Sequence, residues 1–466
     1  MTLRRAAAAL LNAASAASMA STLATTARTR MPSPRMMGAA DALGGPEIAV
    51  LGGGFGGLYT ALRLSSLDWS GGPTPRITLV DRSDRFSFSP MLYELATGTA
   101  TSWEVAPRYE DLLSDTPVEF VRGEVSGLDE ESNVVTIATS QGAERQLPYD
   151  WCVLAFGLQP QTSLVPGVAE HARTFYTAED ALGLKECLRA LEQERTVDEG
   201  TPLRIGVVGG GYVGVELAAN LASVLSSPTS VPARDAQITL VHRSEALLPA
   251  AQRFSREEAQ NRLLDAGVEL LLSTAVRQVA AGELTLAPSA PADAPSYSLP
   301  VDLTIWTAGT EAAPVVASLG LPLDAAGRLD ADATLRVRGH ERLFALGDGA
   351  SIVDVRQVTA PATAQAAMQQ ADYVAWNVRA AARSEPTLPF RYENLGEMLS
   401  LGPESASVAA LAEAVRLRGP LAVAARRAVY AARMPTPSQA AKVGLSWAID
   451  TGFSVLRKVA EAQKKP

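Results

Sequence analysis

Short apolar runs, each stopped by glycine, punctuate the chain. Ile48-Ala49-Val50-Leu51 gives way to Gly52-Gly53-Gly54-Phe55-Gly56-Gly57, and Leu58 to Ser66 then takes helical spacing. An unbroken apolar run of this kind reads as a strand of a parallel sheet covered on both faces. A second run, Ile77-Thr78-Leu79-Val80, ends at Asp81. The pattern then recurs. Ile205-Gly206-Val207-Val208 leads into Gly209-Gly210-Gly211-Tyr212-Val213-Gly214, a helix is predicted over Val215 to Leu225, and Ile238-Thr239-Leu240-Val241 ends at His242-Arg243. Two further runs echo one another, Trp151 to Phe156 stopped by Gly157 and Leu303 to Ala308 stopped by Gly309. Between them, Val118 to Leu147 alternates apolar and polar residues, the period of a small β-meander. One more strand, Arg342 to Leu346, ends at Gly347-Asp348, and a helix is expected from Ala362 to Arg379, started by Pro361.

The glycines fall at G-x-G-x-x-G spacing twice: Gly52, Gly54 and Gly57, then Gly209, Gly211 and Gly214. The first glycine permits the tight turn, the second lets a pyrophosphate approach the backbone, and the third lets helix and strand pack closely. The following helix N-terminus presents free N–H groups to the phosphates. Asp81 is placed to bond a ribose hydroxyl, and His242-Arg243 stands at the matching place in the second unit. A neutral or cationic residue there does not repel a 2′-phosphate, so NADPH is expected to be used well beside NADH. The chain is therefore α/β, with two nested Rossmann-like dinucleotide-binding domains. Asp348, at a strand's C-terminal end, sits where ligands bind in open α/β sheets.

Composition narrows the class. The 466 residues suffice for two or three domains, and no run of 18 apolar residues marks a membrane span. The two cysteines, Cys152 and Cys187, form no C-x-x-C, which argues against a disulfide framework and a dithiol redox route. His171, His242 and His340 are scattered, so no metal is expected. Residues 1–40 carry Arg4, Arg5, Arg28, Arg30 and Arg35 with no acid, which reads as an organelle transit peptide rather than an export signal. From Arg416 to Pro466, ten Lys or Arg stand against Asp450 and Glu461, a local +8 in a chain of net charge −9. Apolar residues including Leu421, Val429, Tyr430, Leu445, Trp447, Ile449 and Phe453 are interleaved with them, the pattern of basic amphipathic helices that lie on anionic membranes.

The glycine motifs, the strand-Gly elements and Gly347-Asp348 together resemble the two-dinucleotide flavoprotein disulfide-reductase-like superfamily. Ala364-Gln365-Ala366-Ala367-Met368-Gln369 looks like the A-Q-x-A-x-Q signature of type II NAD(P)H:quinone oxidoreductases. Met91 to Glu94, Ala106-Pro107-Arg108, Asn394 to Gly402, Gly419-Pro420-Leu421, Arg433 to Thr436 and Lys442 to Trp447 resemble its plastid branch, which reduces plastoquinone and demethylphylloquinone. The resemblance implies FAD on Gly52, Gly54, Gly57, Asp81, Gly157 and Asp348. It implies NADPH or NADH on Gly209, Gly211, Gly214, His242, Arg243 and Gly309, with Glu216 facing the nicotinamide. Gln365 and Gln369, one turn apart, are expected to donate to the quinone carbonyls, with Ala364, Ala367 and Ala371 as a small-residue stripe beside a flat ring.

The implied activity is two-electron reduction of a membrane quinone without proton pumping. The expected organisation is a transit peptide at 1–40, an FAD domain at 46–166 and 310–385 interrupted by an NAD(P)H domain at 201–309, and a C-terminal membrane-docking segment at 386–466. A chloroplast site (thylakoid or plastoglobule, peripheral) is expected, with the mitochondrion second and a mitochondrial ubiquinone dehydrogenase as the matching alternative. No nucleic-acid partner is expected, and a homodimer is left open. A sulfide:quinone oxidoreductase would need flavin-proximal cysteines, and a soluble ferredoxin or rubredoxin reductase has no use for the basic tail. A non-catalytic flavin sensor or coat protein at a lipid surface would make no quinol.

Overall fold

The computed structural model describes residues 44–70, 72–139, 142–194, 202–225, 236–291, 293–411 and 413–462. The leader lies outside them, as do the side chains from 450 onward. The first unit opens with β1 (Glu47–Leu51), α1 (Phe55–Ser66) and β2 (Arg76–Asp81). Short helices α2 (Leu92–Thr97), α3 (Ser102–Val105) and α4 (Tyr109–Leu113) follow. Then come β3 (Val118–Asp129), β4 (Val134–Thr139), β5 (Glu144–Pro148) and β6 (Trp151–Leu154). Its sheet is closed by β11, described below. The alternating stretch pairs antiparallel through β3, β4 and β5, as a half-exposed face requires.

The second unit repeats the plan with β7 (Leu203–Val208), α5 (Tyr212–Leu225), β8 (Ala236–Val241), β9 (Glu269–Leu271) and β10 (Leu303–Trp306). These strands pair in parallel in the order β9-β8-β7-β10, with Arg173–Thr174 at the edge. The registers match between units. Val50 pairs with Leu79 on one side and Val153 on the other, and Val207 pairs with Leu240 and Ile305. All six residues are buried, which is why both runs are apolar without alternation.

The chain then returns to the first unit through β11 (Leu343–Ala345) and α6 (Ala364–Ala382), completing the sheet β11-β6-β1-β2-β3-β4-β5. The helix starts two residues later than the pattern suggests. Thr363, not Pro361, caps it, its hydroxyl accepting the Ala366 N–H at 3.2 Å. Ala367 and Ala371 are buried, and α6 packs lengthwise on α1.

Three strands the sequence reading did not separate from the tail, β12 (Glu397–Ser400), β13 (Ala406–Ala410) and β14 (Val415–Arg418), form an antiparallel sheet against α5. Two helices end the chain, α7 (Gly419–Ala432) and α8 (Pro437–Ala462). They are not a detachable tail. Tyr430, Met434, Val443 and Trp447 all belong to the main core. No described helix is long and apolar enough to cross a membrane.

Candidate active site

Each glycine of the first cradle meets a different constraint. Gly52 has φ +101°, and a Cβ there would lie 2.3 Å from the Ala155 carbonyl oxygen. At Gly57 a Cβ would lie 1.7 Å from the Gly52 oxygen. At Gly54 a Cβ would meet nothing within 4 Å, so this glycine faces open space. No side chain caps α1 and no acid stands in its first turn, which leaves its N–H groups and dipole for an anion. The second cradle copies these relations. Gly209 has φ +121°, Gly214 would place a Cβ 1.9 Å from the Gly209 oxygen, and Gly211 is open.

The residues ending β2 and β8 brace the cradles. Asp81 accepts the Gly53 N–H at 2.6 Å and the Ser83 N–H at 2.8 Å. Burial raises its carboxyl above the ordinary range against the pull of those two donors. His242 Nδ1 accepts the Gly210 N–H at 3.1 Å, which puts its proton on Nε2. Burial, then Arg243, holds the imidazole pKa down, so the ring is neutral. Nε2 is itself enclosed and has no partner among the described residues. His242 therefore braces its cradle and does not reach out of it, while Arg243 is exposed.

Gly157 and Gly309 turn the chain out of β6 and β10 at φ +65° and +77°. Gly157 also receives Gly349 closely, a Cβ on Gly349 falling 2.4 Å from its oxygen. This brings the Gly347-Asp348 turn beside the first cradle. Burial pushes the Asp348 carboxyl up to about 6, and no protein group among the described residues hydrogen-bonds it. A partly buried carboxylate without a protein donor suits a ligand that brings its own hydroxyls. With the open position at Gly54, the residues present fit a flavin dinucleotide.

Gln365 and Gln369 share a face of α6 as their spacing requires, but their amides are engaged. Gln365 donates to the Gly396 oxygen at 3.0 Å and accepts from Leu395 N and the Tyr392 hydroxyl, each at 3.0 Å. Gln369 donates to the Glu393 oxygen at 2.8 Å and accepts its N–H at 2.9 Å. The pair stitches residues 392–396 to α6. The donors expected for a quinone carbonyl are taken by backbone, because an extended segment lies alongside that the helical pattern could not reveal. Gln370 reaches the other way and accepts the Gly347 N–H at 2.7 Å, tying α6 to the Asp348 turn.

Glu216 lies at the start of α5 but points into a buried cluster rather than open space. Its Oε1 accepts the Ser400 N–H at 2.8 Å, and Tyr93 hydrogen-bonds it. Arg426 from α7 donates to the Tyr93 hydroxyl at 2.7 Å and pairs with Glu94. Asn220 bonds Ser400 from the same helix. Burial pushes the Glu216 carboxyl up to about 7, against the Ser400 N–H and Arg426. Tyr93, Glu94 and Arg426 were legible only as a motif fragment and one cation among ten. Arg426 is 3% exposed, so it does not belong to a membrane-facing surface. Trp447 is 8% exposed and is not the expected aromatic anchor.

The chain from residue 46 to 371 matches the pyridine nucleotide-disulphide oxidoreductase family model. It is 41% identical over 402 residues to a demethylphylloquinone reductase, NdbB, of a Synechocystis species, covering 86% of this chain and 95% of the relative. It is 40% identical over 429 residues to the alternative NAD(P)H-ubiquinone oxidoreductase C1, chloroplastic/mitochondrial, of Arabidopsis thaliana, covering 86% and 80%. Among solved structures, the NDH2 of Plasmodium falciparum in complex with NADH superimposes with a TM-score of 0.76 at 17% identity, covering 88% of this chain and 98% of that one. The sulfide:quinone oxidoreductase of Aquifex aeolicus gives 0.66 at 21%, covering 84% and 92%. These two establish likeness of fold.

Proposed function

The chain belongs to the pyridine nucleotide-disulphide oxidoreductase family, and from that premise we propose that it is an FAD-dependent NAD(P)H:quinone oxidoreductase of the type II group. Its substrate in this reading is a lipid-borne naphthoquinone or plastoquinone. One observation carries the reading. Two cradles of matching geometry stand in one chain, each with an open middle glycine, and no cysteine pair accompanies them among the described residues. Cys152 is buried in β6, where burial pushes its thiol up, and Cys187 lies on the separate helix Ala178–Glu194. A dithiol relay is thus unsupported, and electrons leave for an external acceptor.

FAD bound in the first cradle supplies two-electron acceptance from NAD(P)H and delivery to the quinone. The chain's own residues bind and orient. Gly54 and the α1 terminus take the first pyrophosphate, Gly211 and α5 the second, and Asp348 accepts from the sugar-chain hydroxyls. Gln365 and Gln369 hold residues 392–396 as a wall beside the start of α6. Glu216, buried with a carboxyl that titrates near neutrality, can hold a proton on its side chain or release it.

Peripheral membrane attachment is supported by the exposed part of the same C-terminal segment, without the buried Arg426, Tyr430 and Trp447. Leu421, Ala424, Ala428 and Ala432 make an exposed stripe on α7, and Ala441, Leu445, Ala448 and Ile449 make one on α8. Leu421 and Leu445 are 62% and 63% exposed, with Lys442 beside them. Trp103 of α3, also exposed, adjoins α8 through Gln439, which donates to its carbonyl at 2.7 Å. The leader and the plastid-type motifs support a chloroplast site at the thylakoid or plastoglobule.

The test is NADH and NADPH oxidation by purified protein with a panel of benzo- and naphthoquinones. Stoichiometric quinol formation is expected. NAD(P)H binding without quinol would favour the sensor reading.

A further inference from the structure

The stretch that Gln365 and Gln369 hold runs directly into a residue bonded to the second cradle. Gln365 fixes the Leu395 N–H and the Gly396 oxygen, each at 3.0 Å. Gly396 has φ +106°, and a Cβ there would lie 2.3 Å from the Ala409 oxygen, so only glycine makes this turn. Glu397 follows as the first residue of β12 and is half-buried.

Glu397 joins two parts of the second unit. One carboxylate oxygen accepts the Tyr212 hydroxyl at 2.8 Å, and the other accepts the Gln252 N–H at 2.9 Å. Tyr212 is the first residue of α5 and follows the open glycine Gly211. Burial, then the hydrogen bond to Glu397, pushes its phenol up, so the hydroxyl stays protonated and donates. Gln252 ends the loop that leaves β8 at His242-Arg243, and it is the N-cap residue of the helix Arg253–Asp265. Midway along that loop, Leu248 donates its N–H to the Gly210 oxygen at 2.8 Å. The loop is thus pinned to the cradle at Leu248 and, through Glu397, at Gln252. A carboxylate suits this place because its two oxygens accept from two donors at once.

Attachment of the C-terminal sheet does not require this residue. Glu216 accepts the Ser400 N–H, Asn220 bonds the Ser400 hydroxyl, and Arg262 donates to the Leu401 oxygen at 3.3 Å. What Glu397 adds is a fixed distance between the start of α5 and the end of the loop that carries Arg243.

We propose that Glu397 is a positioning residue for NAD(P)H, which holds the α5 start and the 243–252 loop at the spacing the dinucleotide needs. Gln365 supports it from the first unit through Leu395 and Gly396. The inference rests on the second cradle as the NAD(P)H site.

Stopped-flow measurements on the holoenzyme test it in two half-reactions, flavin reduction by NADPH and flavin reoxidation by a quinone. Glu397→Met keeps the side-chain length and removes both acceptors. The apparent Kd for NADPH in flavin reduction should rise about tenfold, the order of one lost hydrogen bond to a charged group. Reoxidation and FAD content should match the parent. Glu397→Gln still accepts the Gln252 N–H while its amide donates to the Tyr212 oxygen, so its Kd should stay within about twofold of the parent. An unchanged Kd in Glu397→Met, or equal losses in both half-reactions, overturns the proposal. If Glu397→Met does not fold, Tyr212→Phe removes one of the two donors and is read the same way, with a rise of about threefold. Gly211→Val tests the cradle separately and should abolish flavin reduction by NADPH. A Gly211→Val protein with the parent's Kd refutes the second cradle as the NAD(P)H site. The expected loss there, with no change in Glu397→Met, refutes the role of Glu397 alone.

Discussion

Asp81 and His242 hold the same post in the two halves of the molecule: Asp81 Oδ2 accepts the Gly53 N–H at 2.6 Å, and His242 Nδ1 accepts the Gly210 N–H at 3.1 Å. The backbone role is shared and the charge is not. An acid would bond a ribose 2′-hydroxyl and repel a 2′-phosphate, whereas a neutral imidazole beside exposed Arg243 does neither. Because His242 Nε2 is enclosed, discrimination comes from the missing repulsion and not from a new contact. NADPH should bind at least as well as NADH. His242→Asp keeps an acceptor for Gly210 and should shift the ratio of dissociation constants toward NADH by about 1–2 kcal/mol. An unchanged ratio would remove this position from the specificity site.

The glycines of one motif should fail in two different ways. Gly54→Val places its side chain in open space, so the protein should fold, purify colourless and melt lower for want of bound FAD. Gly57→Ala drives a Cβ to 1.7 Å from the Gly52 oxygen and should not accumulate as folded protein at all. Circular dichroism with the visible absorption of bound flavin separates the outcomes. A yellow Gly54→Val protein would contradict the cradle assignment.

Glu216 gives stability a pH slope. Its carboxyl titrates near 7 in the fold against an ordinary 4.5. Between those values the native state holds a proton that the unfolded state has lost, so stability falls as pH rises from 4.5 to about 7 and is level above. The size is up to roughly 3 kcal/mol. Glu216→Gln still accepts the Ser400 N–H and should flatten that slope in urea melts at a series of pH values. A slope identical to the parent's would show that another group carries it.

Attachment and folding should separate by which face of α7 and α8 is changed. Leu421→Asp with Leu445→Asp should abolish co-sedimentation with anionic liposomes, at an unaltered melting temperature. Arg426→Met strands Glu94 in the core and should cost about 3–5 kcal/mol. Truncation after Gly402 should not fold, since it removes Tyr430, Val443 and Trp447 from the main core. Liposome binding retained by the double Asp variant would move the docking surface elsewhere.

The two cradles were readable from sequence because their requirements are local. Gly52 and Gly57 are forced by atoms within one turn of chain and one neighbouring strand, and Gly54 by the space a ligand needs. Strand burial on both faces likewise writes itself as an unbroken apolar run. The parts that tertiary structure decided depend on which distant surfaces meet. Spacing put Gln365 and Gln369 on one face, but only the chain at 393–396 lying alongside engaged their amides. Hydropathy counted Arg426 and Trp447 with an exposed basic face. Packing took Arg426 inward to Glu94 and Tyr93 and buried Trp447, because a cation paired in the interior and a cation in water are the same letter until the partner is in place.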